Sequence, residues 1–397
     1  MKRFLPLLVV LGGIFIPPAM AQNCASSSKL ACLIPNELNT VNPNSNTTDF
    51  QLIGEAVGSA VSDLPLASPA SGVIYVTDPK LNLPVPSNAT LGPVLVQRSE
   101  TIGHHKLFVA FTYQRFEFSD IDGISLKKVP VYLPNQNGTE VAVTNNRIDL
   151  KASQFAGYFT FGLTSRIDIS VAVPVVDVHE RITSSGLIDV FSSGTQAFSN
   201  TSAADGATGI GDVTLAVKYT VWKPSHGGFA VGSEFRLPSG DALNFLGAGA
   251  YGFRPFGTLT WGGRISPHAN IAYEANTNTV LLTNSSGGHG QLPNRLIYSG
   301  GADWGATHWL TFAADVLAQH VFDGPRVQLE NFALQNANNV YQTIAPFSGS
   351  YNRTDGSVGI KVKPVRNLIL TGNLIVKMDQ GGLRSRLAPL FGASYTF

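Results

Sequence analysis

Hydrophobic and polar residues alternate over most of the chain beyond residue 106. In 213–221 the odd positions are Val, Leu, Val, Tyr and Val, and the even positions are Thr, Ala, Lys and Thr. The stretches 229–237, 167–175 and 310–316 repeat this period of two. Because successive side chains of a β-strand point to opposite faces of a sheet, the pattern predicts strands with one apolar and one polar face.

The connections between the predicted strands alternate between tight turns and longer loops. Short turns on one side and long loops on the other are typical of an outer-membrane barrel, and an even strand count places both barrel ends on the short-turn, periplasmic side. About twelve strands are predicted, at 106–118, 148–162, 166–180, 209–222, 228–238, 250–262, 266–280, 295–304, 308–320, 354–363, 367–378 and 386–397. The tight connections are 163–165, 223–227, 263–265, 306–307 and 364–366. The longer ones are 119–147, 181–208, 239–249, 281–294, 321–353 and 379–385.

The composition favours a membrane barrel over a soluble protein. Only 13% of the 397 residues are charged, about half of the roughly 25% that is usual in soluble domains. The formal net charge of +1 excludes the strongly basic surface that nucleic acid requires. A sheet can span lipid only by closing on itself, because hydrocarbon cannot satisfy an open edge. We therefore predict an all-β fold: a transmembrane antiparallel β-barrel over 105–397, in the lipid of the outer membrane of a Gram-negative-type bacterium.

Aromatic residues support this arrangement. The four tryptophans lie beside predicted short turns, where an interfacial aromatic girdle is expected; they are Trp222, Trp261, Trp304 and Trp309. The chain ends in an alternating strand, 387–397, with Phe397 as its last residue. This ending resembles the C-terminal strand by which the barrel-assembly machinery recognises outer-membrane proteins, so that machinery is an expected partner.

The residues before the barrel divide into an export signal and a second segment. Residues 1–21 have the basic start, apolar run and A-x-A cleavage site of a signal peptide. Cys24 and Cys32 follow directly, and in an oxidising compartment a disulfide is the simplest expectation. A free cysteine pair and a lipid-modified Cys24 are the alternatives.

The N-terminal segment, 22–104, does not show the strand pattern of the barrel. Residues 50–61 have the apolar spacing of a short helix. Residues 73–76 and 94–96 are candidates for a hairpin. The segment is predicted to be either a plug within the barrel or a small periplasmic unit, since a lumen of about twelve strands has room for part of a plug.

Strand parity predicts which charged side chains face the lumen. They form either a mixed-charge lining that holds a plug and passes a modest solute, or cross-strand pairs that stabilise the wall. Asp212 has a further interpretation, as the cap of a loop turn. The lumen candidates are Asp168, Asp212, Lys218, Glu234, Arg236, Arg254, Glu274 and Asp315.

Pro174 interrupts an otherwise regular predicted strand, where proline removes a hydrogen-bond donor from the ladder. One hypothesis is a strand kink that opens a lateral path for a hydrophobic solute into the bilayer. The other is that Pro174 marks the place where the strand leaves the membrane at the outer rim.

Enzyme and metal motifs are missing from the sequence. The eight histidines are scattered, and no HExxH motif, nucleophile elbow or P-loop occurs. We therefore expect no catalytic residues, no metal and no cofactor. A lipid-acting barrel enzyme, with a site assembled from distant strands, remains an alternative.

Three stretches carry a family resemblance. Residues 209–219 open a strand with a GxGD pattern, 237–249 looks like an LPTGD…LGTG loop, and 158–174 looks like a strand–turn–strand unit. Over roughly 150–397 the chain resembles the outer-membrane proteins grouped with the meta-pathway of phenol degradation, a branch similar to the long-chain fatty-acid channel (FadL-like) proteins. The Asn-Pro-Ala motif of fatty-acid channels is only approximated, by Asn-Pro-Asn at 42–44.

The resemblance implies a channel or transporter for passive uptake of small hydrophobic or aromatic compounds across the outer membrane. The alternative from a different class is a structural or adhesive barrel. In that case, long extracellular loops such as 181–208 and 321–353 would bind an external partner.

Overall fold

The architecture comes from a computed structural model. It describes residues 24, 27–42, 48–61, 64–65, 75–77, 84–86, 90–134, 140–190, 195–224, 227–283, 288–333, 340–365 and 367–397. The predicted signal peptide, 1–21, lies outside the described residues. In the part of the chain that is described, the helices are too short or too polar to cross a membrane.

Twelve antiparallel strands close into a barrel, which confirms the predicted fold class. Each strand pairs with its neighbour in the ring, and the first and last strands pair with each other from Phe108–Thr396 to Gln114–Leu390. The strands are β1 (Leu107–Ile121), β2 (Glu140–Gly162), β3 (Ile167–Val190), β4 (Thr214–Trp222), β5 (Gly228–Arg236), β6 (Gly252–Thr260), β7 (Ile265–Asn276), β8 (Arg295–Thr307), β9 (Leu310–Ala333), β10 (Val340–Val365), β11 (Leu368–Lys377) and β12 (Leu387–Thr396).

The alternation seen in the sequence corresponds to the two faces of this wall. On β4, for example, Ala216 and Lys218 are buried on the inner face, whereas Val217 and Tyr219 are 45% and 42% exposed on the outer face. The outer faces of the other strands also carry exposed large apolar side chains. A closed wall with an apolar outer face is the structure of a barrel that spans a lipid bilayer, here the outer membrane.

Three of the predicted long loops are instead largely strand. β3 continues to Val190 and pairs with Thr195–Ile210, and β9 and β10 pair out to Ala333 and Val340. Within 119–147, Val129–Pro134 pairs with β2. These hairpins extend beyond the length that a bilayer needs. Their outer faces carry mostly polar residues, with single exposed apolar residues such as Leu187 and Phe198 among them, and lack the regular alternation by which the membrane strands were identified. The strands outside the ring, among the described residues, are Tyr75–Thr77, Pro84–Pro86, Ile124–Ser125, Val129–Pro134, Thr195–Ile210, Asn278–Thr283, His289–Gln291 and Leu383–Ser385.

The N-terminal segment contains two helices. Cys24 and Cys32 form a disulfide, as predicted, and a 3-10 turn (Leu30–Cys32) leads into helix α1 (Leu33–Val41). Helix α2 (Thr48–Val61) occupies the place where the apolar spacing predicts a helix. Of the predicted hairpin between 73–76 and 94–96, residues 73 and 74 lie outside the described residues, and the pairing predicted for 75 and 76 is wrong. Tyr75–Thr77 pairs with the nearby Pro84–Pro86, and Val94 packs against the barrel wall.

Apolar residues of this segment pack against the inner faces of the strands in two clusters. On the side of the long hairpins, hereafter the loop side, Leu38 of α1 and Val57 of α2 belong to a cluster that includes Ile182 and Leu281. On the opposite side, hereafter the turn side, Val94 and Ile102 pack with Phe108 at the start of β1. The segment therefore contacts the barrel interior at both ends.

Candidate functional site

A cavity of about 270 Å³ lies inside the barrel. Helix α2 and the residues after it border the cavity on the loop side, and Leu95 and Gln97 of the N-terminal segment border it as well. Its apolar lining consists mainly of Val61, Leu64, Leu95, Phe245, Leu246, Phe256, Ala272, Ile297 and Leu317. An aliphatic cavity of about 150 Å³ is already large enough to bind benzene, so this cavity accommodates a small organic molecule.

A network of ion pairs forms the polar part of the cavity wall. The Nη1 atom of Arg254 lies 3.0 Å from Oε2 of Glu234, and its Nε donates to Oε2 of Glu274 at 3.0 Å. The Nη1 atom of Arg236 lies 2.9 Å from Oε1 of Glu274. Its Nε lies 3.8 Å from Oδ2 of Asp212. Four of the five side chains come from strands β5 to β7, and that of Asp212 comes from just before β4.

This network is close to electrically neutral. Arg295 of β8 is paired directly across the sheet from Glu274 and is fully buried. With it, three guanidinium groups face three carboxylates in one patch of wall. Charges that satisfy one another at close range leave little field for attracting a free ion. The wall therefore offers hydrogen-bonding polarity without a net charge.

On the turn side, two buried lysines bind the backbone of the N-terminal segment. Lys218 donates to the carbonyl oxygens of Arg98 and Glu100, at 3.1 and 2.7 Å. Lys361, on the other side of the barrel, donates to the carbonyl oxygens of Leu91 and Pro93, at 3.3 and 2.5 Å. An ammonium group has three donors and no acceptor, so each lysine can bind two carbonyl groups at once.

Further polar contacts fix the same part of the segment. Asp168 lies 3.4 Å from the Lys218 ammonium and accepts a hydrogen bond from the Ile102 N–H at 3.2 Å. Gln97 donates to Glu234 at 2.7 Å. Gly92 has φ 76°, and a Cβ there would lie 1.1 Å from Nη2 of Arg98, so only glycine fits beside this buried guanidinium.

Asp315 belongs to a third group of charges. The Nε2 atom of His268 lies 2.7 Å from Oδ1 of Asp315, and its Nδ1 lies 3.9 Å from Oδ2 of Asp303. All three side chains are buried on the inner face of β7 to β9. No cluster of three or more His, Cys, Asp or Glu side chains suited to a metal ion occurs among the residues that the structure describes.

The loop between β5 and β6, residues 237–251, folds inward. Asp212 accepts hydrogen bonds from the N–H groups of Gly240 and Ala248, at 3.1 and 2.7 Å. A Cβ at Gly247 would lie 2.2 Å from Oδ1 of Asp212. The Asp of the GxGD pattern thus contacts the glycines of the LPSGD…LGAG loop, which explains why the two motifs occur together.

The eight predicted lumen residues all lie on the inner face and separate into three groups. Asp212, Glu234, Arg236, Arg254 and Glu274 share one network, Asp168 pairs with Lys218, and Asp315 pairs with His268. Sequence reasoning missed Lys361 and Asp303, although the parity of their strands contains the same signal. It also missed Gln97 and Arg98, which lie outside any strand and carry no periodic signal. Whether the group acts on a solute stays a prediction.

Pro174 lies where β3 changes partner. β3 pairs with β4 up to Ala172 and with Thr195–Ile210 from Val175 onward. The Pro174 carbonyl accepts from the Gly211 N–H at 2.8 Å. Since the N–H and C=O of one strand residue point to the same side, the missing proline donor faces this break and leaves the β2 ladder intact. Both interpretations of Pro174 stay predictions.

The aromatic and C-terminal residues occupy the turn side. The four tryptophans are between 43% and 54% exposed and lie at or beside the short turns; they are Trp222, Trp261, Trp304 and Trp309. The N–H of Phe397 donates to the Leu107 carbonyl at 2.8 Å, so the two ends of the barrel meet there.

Several solved outer-membrane proteins are similar in architecture. The COG4313 outer membrane channel from Pseudomonas putida F1 has 12% identity and a TM-score of 0.46, over 75% of this chain and 98% of that one. The toluene transporter TbuX of Ralstonia pickettii has 11% identity and a TM-score of 0.28, over 74% and 90%. A FadL homologue of Pseudomonas aeruginosa has 11% identity and a TM-score of 0.30, over 83% and 96%. Similarities this distant transfer neither substrate nor mechanism.

The sequence itself gives a clearer assignment. No curated protein matches the chain. The model of one family, described as "Putative MetA-pathway of phenol degradation", matches residues 134–374 and includes both motifs that meet at Asp212. Because this match spans more than half of the chain, the protein belongs to that family of outer-membrane proteins.

Proposed function

We propose that the protein is an outer-membrane channel for passive uptake of small, neutral, hydrophobic or aromatic compounds. The observation that carries this proposal is the cavity of about 270 Å³, with its apolar lining and its internally paired charges. An apolar pocket with a few fixed polar groups is the usual form of a small-molecule site. A wall whose charged side chains pair with one another can form a hydrogen bond with a phenolic hydroxyl without attracting an ion.

We infer that the N-terminal segment acts as a plug. Its helices pack among the loop-side hairpins, and residues 91–102 are bound by Lys218 and Lys361 on the turn side. Filling of both ends of the lumen is consistent with selective passage of a small solute, in contrast to an open, water-filled porin. Passage of this kind requires no cofactor and no catalytic residue.

A cavity-filling substitution tests the proposed function. Ala272 lines the cavity on β7, whereas the adjacent Ile271 is 57% exposed on the outer face. We expect Ala272→Phe to abolish binding of 4-fluorophenol, followed by fluorine NMR on the purified protein, and its uptake by cells that express the protein. Ile271→Phe is the matched control and should bind and transport the probe as the wild type does. Normal uptake by Ala272→Phe would contradict the proposal.

The adhesive alternative is favoured by one observation. Leu187 and Phe198 are paired across the long β3 hairpin and are 48% and 69% exposed, beyond the span of the membrane strands. Exposed apolar pairs of this kind can bind a partner. If the Ala272→Phe variant transports normally while a Leu187→Ser, Phe198→Ser variant loses binding of cells to a surface, the adhesive function replaces the channel.

A further inference from the structure

The inward loop 237–251 closes the loop side of the cavity together with the C-terminal end of helix α2. It makes a short 3-10 turn at Ala242–Asn244 and then a left-handed residue, Phe245, with φ 59°. Phe245 and Leu246 are 1% and 7% exposed, and both line the cavity. The loop thus inserts a large apolar side chain where a solute would enter from outside.

Helix α2 covers the outer side of this insertion. A Cβ at Gly58 would lie 3.0 Å from Cε1 of Phe245 and 2.9 Å from Cδ2 of Leu281. No gap for a solute remains between the helix and the phenyl ring. The loop also contacts the chain beside the disulfide, because the Leu30 N–H donates to Oδ1 of Asn244 at 3.2 Å.

Asp212 of the barrel wall and Thr279 of the strand Asn278–Thr283 hold the loop in this position, and Thr279 donates to the Ala248 carbonyl at 2.5 Å. Asp212 makes two contacts. Its two carboxylate oxygens accept from two different loop amides, those of Gly240 and Ala248. Ser239 of the loop adds two contacts to the residues just before β4. Its hydroxyl donates to the Gly211 carbonyl at 2.8 Å and accepts from the Val213 N–H at 2.9 Å. Asp212 itself is buried, so these hydrogen bonds form away from bulk water and are costly to leave unmade.

We propose that the loop 237–251 is the outer gate of the cavity, with Phe245 as the blocking side chain and Asp212 as the positioning residue that keeps the gate shut. The proposal rests on the proposed function, since it regulates access to the same cavity. The gate belongs to the barrel and is distinct from the N-terminal segment. Opening requires the two amide hydrogen bonds to Asp212 and the contact between Asn244 and Leu30 to break while the wall stays closed.

Planar-bilayer recording on the full-length chain tests the gate. Asp212→Ala removes both acceptors, and Gly247→Ala displaces the carboxylate by contact while preserving its charge. We expect each to raise the open probability about thirtyfold, the effect of losing two hydrogen bonds of ordinary strength. Phe245→Ala should raise the conductance of the open state. The matched control is Gly257→Ala, where a Cβ meets nothing closer than 3.6 Å, and it should behave as the wild type does.

The outcomes separate the gate from the proposed function. If Gly247→Ala and Phe245→Ala both record as the wild type does, and heat-modifiable gel mobility shows folded barrels, the gate is overturned even when Asp212→Ala fails to fold. If wild-type cells take up 4-fluorophenol at a rate that none of the three variants changes, the channel stands and the gate fails. If the variants open to ions and no form transports the probe, the gate stands and the proposed function fails.

Discussion

Individual buried charges in this barrel are satisfied in two different ways. Near the loop side, arginines and carboxylates pair with one another, as Arg254 does with Glu234 and Glu274. Near the turn side, Lys218 and Lys361 bind backbone carbonyl groups of the N-terminal segment. An unpaired charge in such a site would cost several kcal/mol, on the order of 3–5. Removing the N-terminal segment is therefore expected to destabilise the barrel, because it would leave these two buried ammonium groups without their carbonyl partners.

Glu55 of helix α2 provides a pH-dependent test of how that helix docks. Burial raises the pKa of Glu55, although the N–H and hydroxyl of Thr283 both donate to its Oε1, at 3.1 and 2.6 Å. A folded-state pKa above the unfolded value means that stability is greatest below the unfolded pKa. That stability is lost as the pH rises through the folded-state pKa. The charged carboxylate is thus a cost at neutral pH.

Glu55→Gln should therefore raise the thermal unfolding temperature at about pH 8 and leave it unchanged at about pH 4, because the amide oxygen still accepts from Thr283 without a charge to desolvate. The gain should be about 1 kcal/mol or less. Glu330→Gln, on an exposed hairpin, is the control. A loss of stability at pH 8 would show that the ionised carboxylate is required.

Strand β3 passes from the lipid bilayer into the water beyond it, so substitutions on this one strand allow the two environments to be compared. Val171 lies on the outer face of β3 within the membrane length, and Leu187 lies on the same face of the same strand but in the hairpin beyond it. We expect Val171→Arg to destabilise the barrel in lipid vesicles by about 2–4 kcal/mol, and Leu187→Arg by less than about 1 kcal/mol. Urea unfolding in vesicles measures both. Equal costs would place the bilayer elsewhere.

The elements that the sequence predicts are those whose two faces differ. The alternation at 213–221 identifies β4 because one face meets lipid and the other meets the lumen. In the hairpin formed by β3 and Thr195–Ile210 the outer face meets water, so polarity no longer separates the faces and the sequence suggests a loop. The contacts of residues 91–102 depend on side chains across the barrel, which local periodicity cannot report.

For the whole molecule, the parity of the strands predicts which residues face the lumen, but it does not predict which residues they contact there. Asp212 is typical: its sequence context indicates a turn cap or a lumen charge, and the structure shows contacts of both kinds. The association of the GxGD pattern with the loop 237–251 requires the barrel to be closed. Neither secondary-structure propensity nor the charge pattern of the sequence predicts that contact.

The last residue offers a test of assembly. The side chain of Phe397 is 61% exposed, and that of Phe391 on the same strand is 60% exposed. We propose that the barrel-assembly machinery recognises Phe397. Phe397→Ala should lower the folded amount in the outer membrane of cells about tenfold while refolding from urea into vesicles is unchanged. Phe391→Ala should affect neither, and an equal loss for the two variants would contradict the proposal.

The meeting of β1 and β12 has a consequence for the order of events during biogenesis. The Leu107 carbonyl and the Phe397 amide stand 290 positions apart in the chain, at the seam of the ring. Pairings this distant form late, because their loop entropy must be overcome before the contact contributes. Helices α1 and α2 precede the seam and are enclosed by it. We therefore expect helices α1 and α2 to enter the lumen before β1 and β12 pair and close the barrel.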